Sequence, residues 1–391
     1  MNLYAHFPFC RRKCAYCALY SRVGVSQSDR DAYVVSLAAE ITPGRASESG
    51  QIGAGANYST IYFGGGSPAL CDLRPLFSAL QNAARPESAP YPGVGIALRA
   101  IRSDYEFTVE LHPLDVSEER LEMLKAGGVN RISMGVQSFD DKTLAAMGRG
   151  YTLDEALRAF ELVKKYFDNA GIDLIVGFPG DPCRFELKRF ADLGLRHCSV
   201  YSLQNERGLS NVPDDNIVLN EIKRCARELA ELGLERYEIS NYAVPGYECR
   251  HNLAVWRGED YVGLGEGACG RVGQNRTRGV RRGSGVAYET ETLTPEEDLK
   301  ERTIFRLRTR EGLDASRFPE WRDTLDRFVA EGLLTKSSAD QFGGAVGVRA
   351  LPKCGVPPPG RDRTPGDPQS MVYFLTERGT EVCDAILAEI V

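Results

Sequence analysis

The sequence predicts an α/β fold, a partial (β/α)6 barrel followed by a small winged-helix-like α+β domain. Short apolar strand-like runs alternate with amphipathic helical stretches through the first two-thirds of the chain. Repeated strand–helix units imply parallel strands joined by right-handed crossovers. About six such units can be counted, too few for a closed eight-fold barrel. The last hundred or so residues read helix, helix, hairpin, helix, the order of a winged-helix-like module.

The first strand covers 3–6 and runs into His6-Phe7-Pro8-Phe9-Cys10-Arg11-Arg12-Lys13-Cys14-Ala15-Tyr16-Cys17. Ser28 can cap a helix over 29–41, with Ala32, Val35 and Ala39 at helical spacing. The Gly/Ser/Ala-rich stretch 43–57 reads as a loop. A short strand at 60–63 leads straight into Gly64-Gly65-Gly66-Ser67-Pro68, and a helix over about 72–84 follows. Residues 87–103, rich in Pro and Gly, read as an insertion. The strand at 106–111 ends in His112-Pro113. A helix at 117–126 is opened by Ser117 and closed by Gly127-Gly128. The strand at 130–136 ends in Gln137-Ser138. Helix 153–167 is amphipathic. The strand at 172–176 ends in Gly177-Phe178-Pro179-Gly180. A helix near 185–193, a strand at 198–203 and a helix at 218–232 complete the set.

Beyond this lie Tyr237 to Tyr242, Cys249-Arg250-His251-Asn252 and Trp256-Arg257-Gly258. Five glycines between Gly258 and Gly270 mark a backbone-constrained region. Residues 271–285, with Arg271, Arg276, Arg278, Arg281 and Arg282, read as an exposed basic loop, either simply solvated or touching anionic carboxylates. Thr294-Pro295-Glu296-Glu297 starts a helix over 297–308. A second helix covers 320–330. Residues 332–335 and 372–376 can pair as a hairpin around a Pro/Gly-rich insertion at 343–370, and 377–390 closes as a helix. The expected division is 1–215 for the barrel, 216–290 for a flanking segment and 291–391 for the C-terminal domain.

Composition narrows the function. A net charge of −6, with 42% apolar and 26% charged residues, argues against a dedicated nucleic-acid or membrane-surface binder. No apolar run is long enough for a transmembrane helix, and no signal peptide is seen. Eight cysteines (Cys71, Cys183, Cys198, Cys225, Cys249, Cys269, Cys354 and Cys383) are scattered singly. A reduced cytoplasm is therefore expected, with most of them buried as small apolar residues and Cys249, beside His251, the exception to watch.

Cys10, Cys14 and Cys17 stand at C-x3-C-x2-C. Three thiolates can hold three irons of a 4Fe-4S cubane and leave the fourth open. Zinc is the alternative, but it usually wants a second ligand pair close by. An open iron could chelate the amino and carboxylate groups of S-adenosylmethionine. Gly64–Gly66 offers backbone N–H groups and close approach for such a ligand. Glu110 can accept from its hydroxyls or amine, and Gln137, Arg149 and Asp173 can serve a second polar ligand, since strand ends are where such barrels bind. Each also has a bland reading: Glu110 and Asp173 as solvent-facing or loop-pairing carboxylates, Arg149 as a surface ion pair. His251 is either a satisfied histidine in a tight turn or an iron ligand, with Trp256 and Tyr242 flanking a porphyrin or filling a core.

Residues 3–9 with the three cysteines, Gly64–Pro68, Arg131–Phe139, Asp173–Pro179, Tyr237–Tyr242, His251-Asn252 and Trp256 together resemble the radical-SAM family of oxygen-independent coproporphyrinogen III dehydrogenases and their relatives. The resemblance runs from about residue 3 to 270, with Leu375-Thr376-Glu377-Arg378-Gly379 near the end. The dehydrogenases carry C-x3-C-x2-C-x-C, whereas here the last position is Leu19, as in the haem-chaperone branch. That branch carries an HNxxYW motif; here Val255 replaces its tyrosine. The resemblance implies that Cys10, Cys14 and Cys17 ligate the cluster and that Tyr4, Gly65 and Glu110 contact its S-adenosylmethionine. Gly66, Ser67, Gln137, Arg149 and Asp173 match positions for a second such molecule, and His251 matches a haem-binding histidine. The implied partners are haem or a porphyrinogen and haem-accepting enzymes, with no nucleic acid. The implied alternatives are porphyrinogen decarboxylation and radical methyl transfer.

Overall fold

Six strands, β1 (Asn2–Phe7), β2 (Thr60–Gly65), β3 (Glu106–Leu111), β4 (Arg131–Gln137), β5 (Ala170–Val176) and β6 (His197–Ser202), lie side by side in chain order, all parallel. The structure is a computed structural model that describes residues 1–41, 58–83, 105–283, 285–338 and 371–390. The loop expected at 43–57 and the insertions expected at 87–103 and 343–370 lie outside the described residues. The chain divides into two compact units, Met1–Val255 with Glu259–Pro295, and Trp256–Gly258 with Glu296–Val391.

Strand alternation positions the site. Leu3, Ala5 and Phe7, Ile61 and Phe63, Phe107 and Val109, and Ile132, Met134 and Val136 are all 0% exposed. They form one apolar core with Leu37, Leu76, Leu121 and Phe160 from the surrounding helices. Each such large side chain contributes about 1.5–3 kcal/mol on burial. Successive residues point to opposite sheet faces. The other face therefore carries Tyr4, His6, Tyr62, Glu110, Ser133 and Asp173.

The helices are α1 (Gln27–Ile41), α2 (Arg74–Ala83), α3 (Glu118–Ala126), α4 (Asp141–Met147), α5 (Leu153–Tyr166), α6 (Leu187–Asp192) and α7 (Asp215–Glu231). Ser117 caps α3 as expected, and Thr152 with Glu155 forms a capping box at α5. Helix α1 starts earlier than expected, because Ser26 rather than Ser28 accepts from the Asp29 N–H at 3.1 Å. Helix α4 has no counterpart among the expected elements. Asp140 caps it and Gly148 ends it with φ +80, but seven residues are too few for a clear period.

The sheet continues past both ends of the parallel set. Strand β9 (Tyr261–Leu264) pairs parallel with β1, and β10 (Cys269–Val272), β11 (Asn275–Arg282) and β12 (Gly285–Thr292) follow antiparallel. At the other end β8 (Asn241–Ala243) and β7 (Glu235–Arg236) run antiparallel. Among the described residues the hydrogen-bonded order is linear from β12 to β7. The expected basic loop at 271–285 is thus corrected to a hairpin. Thr277 and Gly279 face inward while Arg278, Arg281 and Arg282 are exposed, and Arg271 itself is buried. Arg276 and Arg278 sit opposite Glu291 and Glu289, a cross-strand charge pairing that suits strands and that a local count of arginines does not reveal.

The second unit holds α9 (Pro295–Ile304), α10 (Arg322–Ala330) and a three-stranded antiparallel sheet in the order β13 (Leu313–Asp314), β15 (Met371–Leu375), β14 (Leu334–Ser338). The hairpin is as expected. The third strand, of two residues, is too short to leave a pattern in the sequence. The closing helix is in fact two, Glu377–Glu381 and Cys383–Ile390. Leu307, Leu313, Leu325, Phe328 and Tyr373 form the interior of this unit.

Candidate cluster and cofactor site

The cysteine loop leaves β1 at the carboxyl end of the parallel strands. Cys10, Cys14 and Cys17 are free and half-buried. Backbone bonds hold the loop: Cys10 N–H to Arg22 O at 2.9 Å, Ala15 N–H to Met147 O at 3.0 Å, and Ser67 N–H to Phe9 O at 2.7 Å. A Cβ on Gly66 would stand 2.5 Å from the Phe9 carbonyl and 2.9 Å from the Cys10 sulfur. The glycine is therefore required for the loop to seat against β2. Burial pushes the Cys10 thiol up, and the neighbouring thiols add to this; iron would compete for that proton, since the thiolate is the ligand. A 4Fe-4S cubane takes one thiolate per iron, and Cys10, Cys14 and Cys17, free in one loop, are the chemical donor set it needs.

His6 is not free to ligate. Its Nε2 donates to the Tyr20 carbonyl at 2.9 Å, which leaves Nδ1 to accept from the Tyr4 hydroxyl at 2.9 Å. Burial lowers its pKa, so the ring stays neutral. Tyr4 thus sits on the inner face, its own ionisation suppressed by burial and Glu110. Gly65 has φ +108, and a Cβ there would meet the His6 ring at 2.6 Å.

Glu110 accepts from the Gly65 N–H at 3.0 Å and the Tyr62 hydroxyl at 2.9 Å. Burial, followed by the negative charge of Asp173, raises it to about 7. Asp173 accepts from the Ser133 hydroxyl at 3.0 Å and is also raised by burial. A buried carboxylate pair of this kind is suited to a cationic ligand group.

Gln137, Arg149 and Asp173 are brought together around Gly135. Gly135 pairs with Asp173 across β4 and β5, and a bulge separates it from Gln137. Gln137 has φ +76, a left-handed conformation that a glutamine adopts only when its surroundings demand it. Arg149 is 8% exposed. It donates to the Gly135 carbonyl at 2.6 Å and the Tyr151 hydroxyl at 3.0 Å, and reaches the Cys14 sulfur at 3.5 Å. Its surface ion-pair reading is set aside by that burial. Ser67 departs from expectation in its partner: its hydroxyl donates to Asp115 at 2.5 Å, and Asp115 also accepts from Arg11.

His251 opens helix α8 (Arg250–Trp256), and its N–H donates to Glu106 at 3.0 Å. The Thr60 hydroxyl spends its proton on Asn2 Oδ1 at 2.8 Å, so it can only accept from His251 Nδ1, also at 2.8 Å. That fixes the tautomer and leaves the lone pair on Nε2. Burial, with a smaller push from Arg131, drops the ring's pKa to about 3, so it is neutral. The ring is 5% exposed and lies 5.3 Å from that of Tyr62 and 6.4 Å from that of Tyr4. Tyr242 is buried with its hydroxyl on Arg236, and Trp256 packs edge-on to Phe305 in the second unit. Cys249 is buried, its thiol raised to about 12 mainly by that burial, with its sulfur on Glu106.

Sequence reasoning missed Asp115, Tyr62, Ser133 and Glu106. Three of these stand at inner-face positions of their strands, and strict period-two reading of β2, β3 and β4 would have found them. Asp115, in a turn after β3, has no such signal.

An open sheet of parallel strands with a three-cysteine loop, a glycine turn and buried acids at its carboxyl end defines a radical SAM site. The model of the Radical SAM superfamily matches residues 4–183. The Bacillus subtilis protein named "Heme chaperone HemW" is 30% identical over 346 residues, covering 82% of this chain and 86% of that one. Its Lactococcus lactis namesake is 33% identical over 283 residues, 69% of each. The structure titled "Coproporphyrinogen III oxidase (HemN) from Escherichia coli is a Radical SAM enzyme" superposes with a TM-score of 0.72 at 20% identity, covering 100% of this chain and 89% of that one. The chain belongs to the radical SAM superfamily, in the coproporphyrinogen III oxidase-like family near its HemW branch. Membership implies a 4Fe-4S cluster and S-adenosylmethionine. When bound, they supply one-electron reduction of a sulfonium.

Proposed function

We propose that this chain is a haem chaperone of the cytoplasm, which binds haem and passes it to haem-dependent enzymes. Cys10, Cys14 and Cys17 hold the cluster; Tyr4, Gly65 and Glu110 serve its S-adenosylmethionine. The observation that carries the reading is Leu19. It stands where the dehydrogenases have a fourth cysteine, and its side chain is 58% exposed. The names of the relatives agree. His251 supports it further: a neutral ring with its tautomer fixed by Thr60 presents Nε2 as metal-binding imidazoles do.

A second reading, porphyrinogen decarboxylation, is favoured by one observation: Gln137, Arg149 and Asp173 are assembled beside Cys14 as a second ligand site would require. Anaerobic reconstitution with iron, sulfide, S-adenosylmethionine and reductant separates the two. The chaperone reading expects a haem absorbance band, transfer of haem to an acceptor enzyme, and no oxidation of coproporphyrinogen. Formation of protoporphyrinogen overturns it. Cys14→Ser is expected to abolish iron–sulfur absorbance under either reading.

A further inference from the structure

We propose that Asp115 is a positioning residue that locks the cysteine loop to the glycine turn, so that S-adenosylmethionine meets its two anchors at a fixed spacing. The inference rests on the reading of Cys10, Cys14 and Cys17 as cluster ligands and of the glycine turn as a cofactor contact.

Asp115 divides its two oxygens between two elements. Oδ1 accepts from Arg11, from Nε at 2.7 Å and from Nη2 at 2.6 Å. Oδ2 accepts from the Ser67 hydroxyl at 2.5 Å. Arg11 directly follows Cys10, and Ser67 directly follows Gly66. One carboxylate therefore grips the cysteine loop and the end of the glycine turn at once. The side chain of Asp115 is 1% exposed and that of Arg11 55%, so the acid is fixed inside the fold and the arginine closes over it.

The residue type matters. A carboxylate accepts on both oxygens, whereas an asparagine of the same shape offers one acceptor and one donor and must abandon one of the two partners. A buried ion pair adds little net stability over apolar packing, so stability alone gives no reason for an acid at this position. What the acid supplies is one geometry, because hydrogen bonds away from water are directional and costly to leave unmade.

Asp115 itself sits in a braced turn. Its N–H donates to the His112 carbonyl at 2.8 Å, the Val116 N–H to the Pro113 carbonyl at 3.3 Å, and the Leu114 N–H to His112 Nδ1 at 3.2 Å. The His112 ring packs edge-on to that of Tyr151 at 5.1 Å. The Tyr151 hydroxyl accepts from Arg149, the arginine that reaches Cys14. The end of β3 thus holds the cysteine loop twice, beside Cys10 through Asp115 and at Cys14 through His112, Tyr151 and Arg149. A ligand held by both the cluster and the glycine turn finds their spacing already set, and is spared the cost of ordering it.

The test uses the full chain reconstituted with iron and sulfide, and S-adenosylmethionine itself as the probe, its binding read by titration calorimetry. Asp115→Asn and, separately, Arg11→Leu on the exposed partner are each expected to weaken that binding roughly tenfold. The coupling is read from Arg11→Leu combined with Ser67→Ala. Once one grip on Asp115 is gone the other no longer sets the spacing, so the double variant should bind no more weakly than the poorer single one. Losses that multiply, or an Arg11→Leu chain that binds as wild type, overturn the proposal. A second readout needs no cluster: amide hydrogen exchange of the apo-protein. In Asp115→Asn the Cys10 and Ser67 amides, bonded to Arg22 and Phe9, should exchange faster while those of β1 and β3 stay as in wild type. Unchanged exchange at both, or faster exchange throughout the two strands, also overturns the proposal, so a variant that fails to load still decides it. A wild-type chain that takes up no cluster refutes the underlying reading instead, and is seen directly in the iron–sulfur absorbance.

Discussion

Arg149 reaches the sulfur of Cys14 at 3.5 Å while its other amino group holds the Gly135 carbonyl at 2.6 Å. One guanidinium thus joins the cysteine loop to the end of β4. A positive charge beside a cluster thiolate stabilises the reduced cluster. Arg149→Leu is therefore expected to make the reduction potential more negative, by roughly tens of millivolts, as measured by redox titration. It should also cost about 0.5–1.5 kcal/mol of stability through the lost hydrogen bond, since the Gly135 carbonyl still accepts from the Tyr151 hydroxyl at 2.9 Å. An unchanged potential would mean that the guanidinium does not act on the thiolate.

Glu110 gives the protein a pH dependence. Its pKa is raised to about 7, so the folded state prefers the protonated form. The corresponding stability is fully present below the ordinary carboxyl range near 4.5 and is lost as pH rises through 7. The span is on the order of 3 kcal/mol. Denaturant titrations of the ligand-free chain between those limits should show the decline, and Glu110→Gln should flatten it. A wild-type curve already flat there would place Glu110 in water.

Thr60 is expected to matter to haem without touching it. Thr60→Val keeps the shape of the site but removes the acceptor that fixes His251 Nδ1. Loss of such a partner usually weakens metal binding about 10–100-fold. Haem titration of Thr60→Val should show this, and His251→Ala should lose the imidazole-ligated spectrum altogether. If His251→Ala only lowers the melting temperature and leaves the haem spectrum intact, the ring is a structural pin between Thr60 and α8.

Gly66→Ala offers a clean separation of folding from loading. The added Cβ must displace the Phe9 carbonyl or the Cys10 sulfur, where the cysteine loop seats against β2. Iron and sulfide content after reconstitution should fall severalfold, with the circular dichroism of the apo-protein near wild type. Full iron occupancy would show that the loop tolerates the shift.

Much of the parallel half was legible because its strands are bounded by polar or glycine-rich breaks, and Gly65, Glu110 and Gln137 sit at the carboxyl ends of their strands. The antiparallel additions were not. Strands β10 and β11 are rich in arginine and glycine, and the inward positions Gly270, Thr277 and Gly279 are small, so the period-two signal is faint until Arg278 is seen opposite Glu289. Partnerships were hidden for a different reason. Thr60 with His251, Ser67 with Asp115 and Arg149 with Cys14 are separated by 191, 48 and 135 residues, and no local pattern encodes such pairs.

The alternation along β1 to β4 separates two kinds of mutational pressure. Replacing Phe63 leaves a cavity in the core, at about 3–5 kcal/mol for alanine, whereas its neighbour Tyr62 faces Glu110. Adjacent codons therefore answer to different tests, one to folding and one to ligand. A lineage can rewrite its chemistry at every second position while the scaffold drifts little. A neighbour that retains the fold at 20% identity is the kind of divergence that this partition permits.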